Sequence, residues 1–98
     1  MAEVRWATEA AEWLKNIHDY IAERNPTAAA SVVGGIYERI QLLRTFPEMG
    51  YILRSEREGE IRVLQYGHYR IAYILDSGED AVVILGVFHG SLDIDRYL

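Results

Sequence analysis

The sequence predicts an α+β fold in which an N-terminal helical hairpin packs on one face of an antiparallel sheet. Three observations predict it. Glu60 to Leu75 (EIRVLQYGHYRIAYIL) and Ala81 to His89 (AVVILGVFH) are dense in β-branched and aromatic residues, which suit a pleated, half-buried surface. Between residues 8 and 44, apolar residues recur at helical spacing in two stretches divided by Asn25-Pro26. Thr45-Phe46-Pro47-Glu48-Met49-Gly50 then separates the helical part from the strand part. The order is β-α-α-β-β-β-β, helices followed by a run of strands.

Each element has its own signal. Glu3 to Ala7 alternates Val4 and Trp6 against polar neighbours and opens the chain as a strand. Thr8 is placed to cap a helix reaching about Arg24, with Glu9 and Glu12 favourable to its dipole. Ala10, Trp13, Leu14, Ile17, Tyr20 and Ile21 form its apolar stripe. Asn25 caps the second helix, with Pro26 at its first position. Ala29, Val32, Val33, Ile36, Ile40 and Leu43 line one face of that helix, and Gly34-Gly35 allows a close approach to its neighbour. Tyr51 to Arg54 is a strand, and Ser55 to Gly59 a charged turn. Gly67 divides the next run into two strands, because glycine accepts a positive φ readily. Asp76 to Asp80, containing Gly78, has the composition of a hairpin connection.

In the second strand of that pair, Tyr69, Ile71, Tyr73 and Leu75 point one way, and Arg70, Ala72 and Ile74 the other. Trp13, Ile17, Ile36, Ile40, Ile71, Tyr73 and Ile84 are therefore expected between the hairpin and the sheet. Arg70 stands mid-strand on the opposite face, where a charge needs either an acid or an open partner surface. Ala81 to Phe88 carries no charged or hydrogen-bonding side chain, which suits an interior strand covered on both sides. The helices cover one face, and the sequence leaves the other to be covered by something outside this chain.

At 98 residues, 50% hydrophobic and 26% charged, the chain reads as one globular domain, residues 1–98. No cysteine is present, which excludes disulfides and thiolate metal sites and suits a reducing cytoplasm. No apolar run has membrane-spanning length, and the start lacks the layout of a signal peptide. A net charge of −5 argues against a nucleic-acid-binding surface. Lys15 is the only lysine; every other basic residue is arginine, suited to bidentate contact with carboxylate or phosphate. No histidines stand at metal-ligand spacing, and no cofactor is expected.

WATEAAEWLKNIHDYIAERNPTAA, LLRTFPEMG, IRVLQYGHYRIAYIL and VVILGVFHGSLD stand here in the order and spacing of the RelE/ParE superfamily of bacterial toxins. The chain resembles that superfamily over nearly its whole length. NPTAA, FPEMG and VFHGSLD bring it nearer to the ParE branch. The resemblance implies a cytoplasmic toxin of a type II toxin–antitoxin module, of the kind that stabilises plasmids. It implies a cognate antitoxin whose C-terminal segment covers apolar toxin surface, with operator DNA met only through that antitoxin. Arg54, Arg62 and Arg70, at the rim of the uncovered sheet face, and Phe88 are the expected antitoxin contacts. Arg70 is expected to be the most desolvated of the arginines.

Two toxic chemistries remain open. ParE-like toxins inhibit DNA gyrase by binding, whereas RelE-like toxins cleave mRNA on the ribosome. Cleavage at a 2′-hydroxyl needs a base, cations for the phosphate and an acid for the leaving oxygen. Arg70 matches the arginine of the RelE-like YR-x-x-Y word, and Tyr97 stands at the tail. A trio of Glu58 or Glu60 with Arg70 and His89 is the other arrangement on offer. Gly90-Ser91-Leu92 stands where RelE-like proteins place a further arginine, and no lysine follows Lys15. Gyrase inhibition is therefore the preferred expectation, with Arg70, His89 and Tyr97 as the nuclease candidates.

Overall fold

The structure is a computed structural model that describes residues 1–76 and 78–98. Its elements are β1 (Glu3–Trp6), α1 (Thr8–Ala22), α2 (Pro26–Gln41), β2 (Tyr51–Glu56), β3 (Gly59–Tyr66), β4 (Tyr69–Asp76) and β5 (Ala81–His89). Short 3₁₀ turns follow α2 at Leu42–Arg44 and close the tail at Ile94–Arg96. The strands form one five-stranded sheet in the order β1-β5-β4-β3-β2. From β2 to β5 it is an antiparallel meander, while β1 joins β5 in parallel.

The expected α+β architecture is present, with several local departures. Asn25 caps α2, its side chain accepting from the Ala28 amide at 3.0 Å. Thr8 does not cap α1: it is the first helical residue, and Ala7 holds the cap position without a side-chain bond. That helix ends at Ala22, and β2 continues past Arg54 to Glu56. Gly67 adopts φ +57° in the two-residue turn between β3 and β4. Ser77, within the last hairpin connection, lies outside the described residues.

The principal core lies between hairpin and sheet. Ile36, Ile40, Leu43, Ile71, Tyr73, Val82, Ile84 and Val87 are fully buried there. Ile17 and Leu14 of α1 are half-buried against it, whereas Tyr20 is 79% exposed, outside the stripe expected of it. Gly35 sits against the hydroxyl end of Tyr66, so the close approach is to β3 and not to the neighbouring helix. Gly34 faces open space.

Trp13 departs furthest from expectation. β1 pairs only with Ala81–Ile84, leaving the far half of β5 without a strand on that side, while β4 pairs along the other. Trp13 packs in the second cluster, with Val63, Ala72 and Phe88, which belong to the face turned away from the helices. The tail residues Leu92, Ile94 and Leu98 pack into the same cluster. Much of the second face is thus covered by this chain itself, contrary to the expectation that all of its cover comes from outside.

Candidate functional site

The face turned away from the helices has a floor of Ile61, Val63, Ala72, Ile74, Leu85 and Phe88. Leu85 is the extra residue of a bulge in β5 opposite Ala72 and Tyr73. Phe88 is 1% exposed and closed over by aromatic rings. Trp13 meets it edge-on at 4.7 Å between centroids, and Tyr97 stacks on it at 5.6 Å. Trp13 and Tyr97 also meet, at 5.2 Å. As an expected partner contact, Phe88 is therefore already occupied. The strip of this face left open is a cleft of about 680 Å³, with Ile61, Ile74 and Leu85 on its floor and Arg54, Glu56 and Glu58 among its lining.

Arg70 pairs with Phe88 across the β4–β5 ladder and so lies on this face. One Nη donates to the Leu92 carbonyl at 2.8 Å. Its Nε is buried and without a partner among the described residues. Arg54, also here, ties the tail through the Leu98 carbonyl and pairs with Glu56 at 2.8 Å.

Arg62 does not line this face. It pairs with Tyr73 on the β3–β4 ladder and turns toward the helix side. At 9% exposure it is the only buried charged residue among those described, so Arg62, and not Arg70, is the most desolvated of the three. Its guanidinium donates to Glu60 at 2.8 Å and to the carbonyls of Glu48 and Gly50 at 2.9 and 2.7 Å. The expected place at the rim of the open face is corrected: Arg62 occupies a core-side position where Glu60 and backbone oxygens satisfy its charge.

The carboxylate, Arg70 and His89 of the nuclease trio do not converge, whereas Tyr97 shares the Arg70 face. His89 pairs with Tyr69 and points to the helix face, opposite to Arg70. Its Nδ1 lies 2.8 Å from Ser91 Oγ and accepts from the Ser91 amide at 3.2 Å. The ring borders an apolar cleft of about 600 Å³ with Trp13, Ile17, Tyr69, Val87 and Leu92. Glu60 pairs with Leu75, five residues along β4 from Arg70, a separation of roughly 17 Å at strand rise. Glu58 is exposed in the β2–β3 turn. Tyr97 is held in the ring cluster on the Arg70 side. Among the described residues no group of three or more His, Cys, Asp or Glu side chains is placed to hold a metal.

The roles of Trp13 and the tail escaped the sequence reading. The available signal was the recurrence of Leu92, Ile94 and Leu98 in an otherwise polar tail.

Comparison with known proteins agrees with this architecture. The chromosomal ParDE system from P. aeruginosa superposes with TM-score 0.72 at 23% identity, over 91% of this chain and 96% of that one. The toxin–antitoxin complex RelBE2 from Mycobacterium tuberculosis superposes with TM-score 0.60 at 31% identity, over 90% and 96% of the respective chains. The archaeal RelE–RelB complex from Pyrococcus horikoshii gives 0.69 at 16% identity, over 92% and 96%. No curated protein matches the sequence. The family model for the ParE toxin of the type II toxin–antitoxin system, parDE, matches residues 4–94. With nearly the whole sequence matched and the hairpin-on-sheet fold in place, the chain belongs to the ParE toxin family of type II toxin–antitoxin systems.

Proposed function

We propose that this protein is a toxin that binds and inhibits DNA gyrase and is neutralised by a cognate antitoxin. The observation that carries the choice of target is the scatter of the acid–base candidates. Arg70 and His89 project from opposite sheet faces, and Glu60 lies roughly 17 Å along the ladder from Arg70. General acid–base cleavage needs its groups within hydrogen-bond reach of one phosphodiester. This scatter supports action by binding.

The antitoxin segment lies along the open strip of the second face, setting apolar side chains over Ile61, Ile74 and Leu85. Carboxylates of that segment meet Arg54 and Arg70. Apolar burial supplies most of the affinity, and the arginines set register and association rate. The RelBE and ParDE relatives, described as complexes or systems of toxin with antitoxin, support this partner class.

The alternative is ribosome-dependent mRNA cleavage. Identity of 31% to the RelBE2 protein and the Tyr69-Arg70-x-x-Tyr73 word favour it. Two assays separate the readings: gyrase supercoiling, and translation-coupled mRNA cleavage. Inhibited supercoiling with intact mRNA is the expected result, reversed by antitoxin. Ribosome-dependent cleavage with unimpaired supercoiling overturns it.

A further inference from the structure

Exposed large apolar side chains gather in one short stretch of this protein. Leu42, Phe46, Met49, Tyr51 and Ile52 are 46%, 58%, 38%, 53% and 49% exposed, and all fall within residues 42–52. Phe46 and Met49 line one shallow cleft with Pro47 and Glu48. This stretch is held from below. The Tyr73 hydroxyl donates to the Pro47 carbonyl at 2.8 Å and accepts from the Gly50 amide at 2.9 Å. Arg62 adds its two bonds to the carbonyls of Glu48 and Gly50. Two buried polar side chains thus fix the backbone of a turn whose own side chains face water. A rigid support under apolar side chains lowers the ordering entropy lost on binding.

We infer that the Phe46–Met49 turn, with Leu42 and Ile52 on its flanks, is the surface through which this toxin docks on its protein target; its cleft shares no lining residue with the one assigned to the antitoxin, whereas Tyr51, opposite Val63, faces the antitoxin side. The inference rests on the reading above that the protein acts by binding. Without Tyr51, half-exposed side chains of this size present on the order of 400 Å² of apolar surface. That is about half of the roughly 800 Å² per partner in a standard protein interface. Charge selects the class of occupant. Arg44 is the only cationic side chain within residues 42–52, and Glu48 stands inside the turn, so the stretch lacks the basic footprint a phosphate backbone requires. The occupant is an apolar pocket or groove on a protein.

The test uses the full chain and purified DNA gyrase immobilised for surface plasmon resonance. Phe46→Ser/Met49→Ser alters only exposed side chains and is expected to bind at least tenfold more weakly, with an unchanged melting temperature. Tyr73→Phe, which keeps the apolar side chains but unties the turn, is expected to bind several-fold more weakly. Binding of the double variant within twofold of the parent overturns the inference. If the parent itself does not bind gyrase, the gyrase reading fails, and growth arrest on expression then decides the docking surface. A folded double variant that arrests growth like the parent overturns it, and loss of arrest with retained folding supports it.

Discussion

Arg62 and Tyr73 stand opposite each other on one rung of the β3–β4 ladder, and both reach the backbone of residues 47–50. The pair joins the sheet to the exit of the helical hairpin. Tyr73→Phe removes two hydrogen bonds at a fully buried position while keeping the ring. It is expected to lower unfolding free energy by about 1–3 kcal/mol, read from urea denaturation. Arg62→Met is expected to lose more, because the carbonyls of Glu48 and Gly50 lose their donor together with Glu60's partner.

The same tyrosine gives a pH signature. Burial raises its pKa above the ordinary tyrosine value, outweighing the Gly50 hydrogen bond and Arg62, which act the other way. The fold therefore favours the neutral phenol. Its contribution is complete below the free-tyrosine pKa of about 10 and is lost as pH rises from there through the raised value. The stability gap between parent and Tyr73→Phe is expected to narrow over that alkaline window. A gap constant across it would contradict this assignment.

Ile36 and Ile84 are fully buried on opposite sides of the principal core. Truncating either to alanine is expected to cost about 2–5 kcal/mol, with the cavity contribution depending on local collapse. Thermal or urea unfolding of the two single variants checks it.

The adjacent glycines of α2 should respond differently to alanine. At Gly34 the added methyl meets nothing, so Gly34→Ala is expected to stabilise by about 0.5–1 kcal/mol through helix propensity. At Gly35 the methyl overlaps the Tyr66 hydroxyl and the ring must move, disturbing its contact with the Arg39 guanidinium. Gly35→Ala is expected to forfeit the propensity gain. Paired melting curves distinguish the two.

His89→Ala is expected to leave growth inhibition nearly intact in a folded protein, since the ring binds Ser91 at a strand end. Loss of a catalytic acid or base would instead reduce rate about 10²–10⁴-fold. Arg70→Ala is expected to weaken antitoxin binding by an order of magnitude or more if its partner acid remains buried. Titration at two salt concentrations checks the second of these, with Arg54→Ala as the comparison expected to lose less.

What could be read in the sequence was mostly local. Asn25-Pro26 announces a cap because its bond closes over three residues, and the β3–β4 turn follows from Gly67 alone. The period-two pattern placed Arg70, Ala72 and Ile74 on one face correctly. Long-range pairings carried no such signal. Nothing near Glu3 specifies that β1 joins β5 in parallel, nor that its shortness lets Trp13 reach Phe88. The bulge at Leu53 shifts register between Ile52 and Arg54, so faces on β2 cannot be counted through by alternation. Arg62 was misplaced because a charge was assumed to seek the open face, while buried oxygens awaited it on the other.

The parallel pairing of β1 with β5 sets the order of assembly. Glu3 and Ala81 are 78 positions apart, yet they share a rung. During synthesis the helical hairpin can form early, but the first strand has no neighbour until the last one leaves the ribosome. Ala2, buried in the principal core, waits with it. Closing so long a loop is slow relative to local helix formation. The sheet therefore stays incomplete until β5 has emerged, long after the helical hairpin can form.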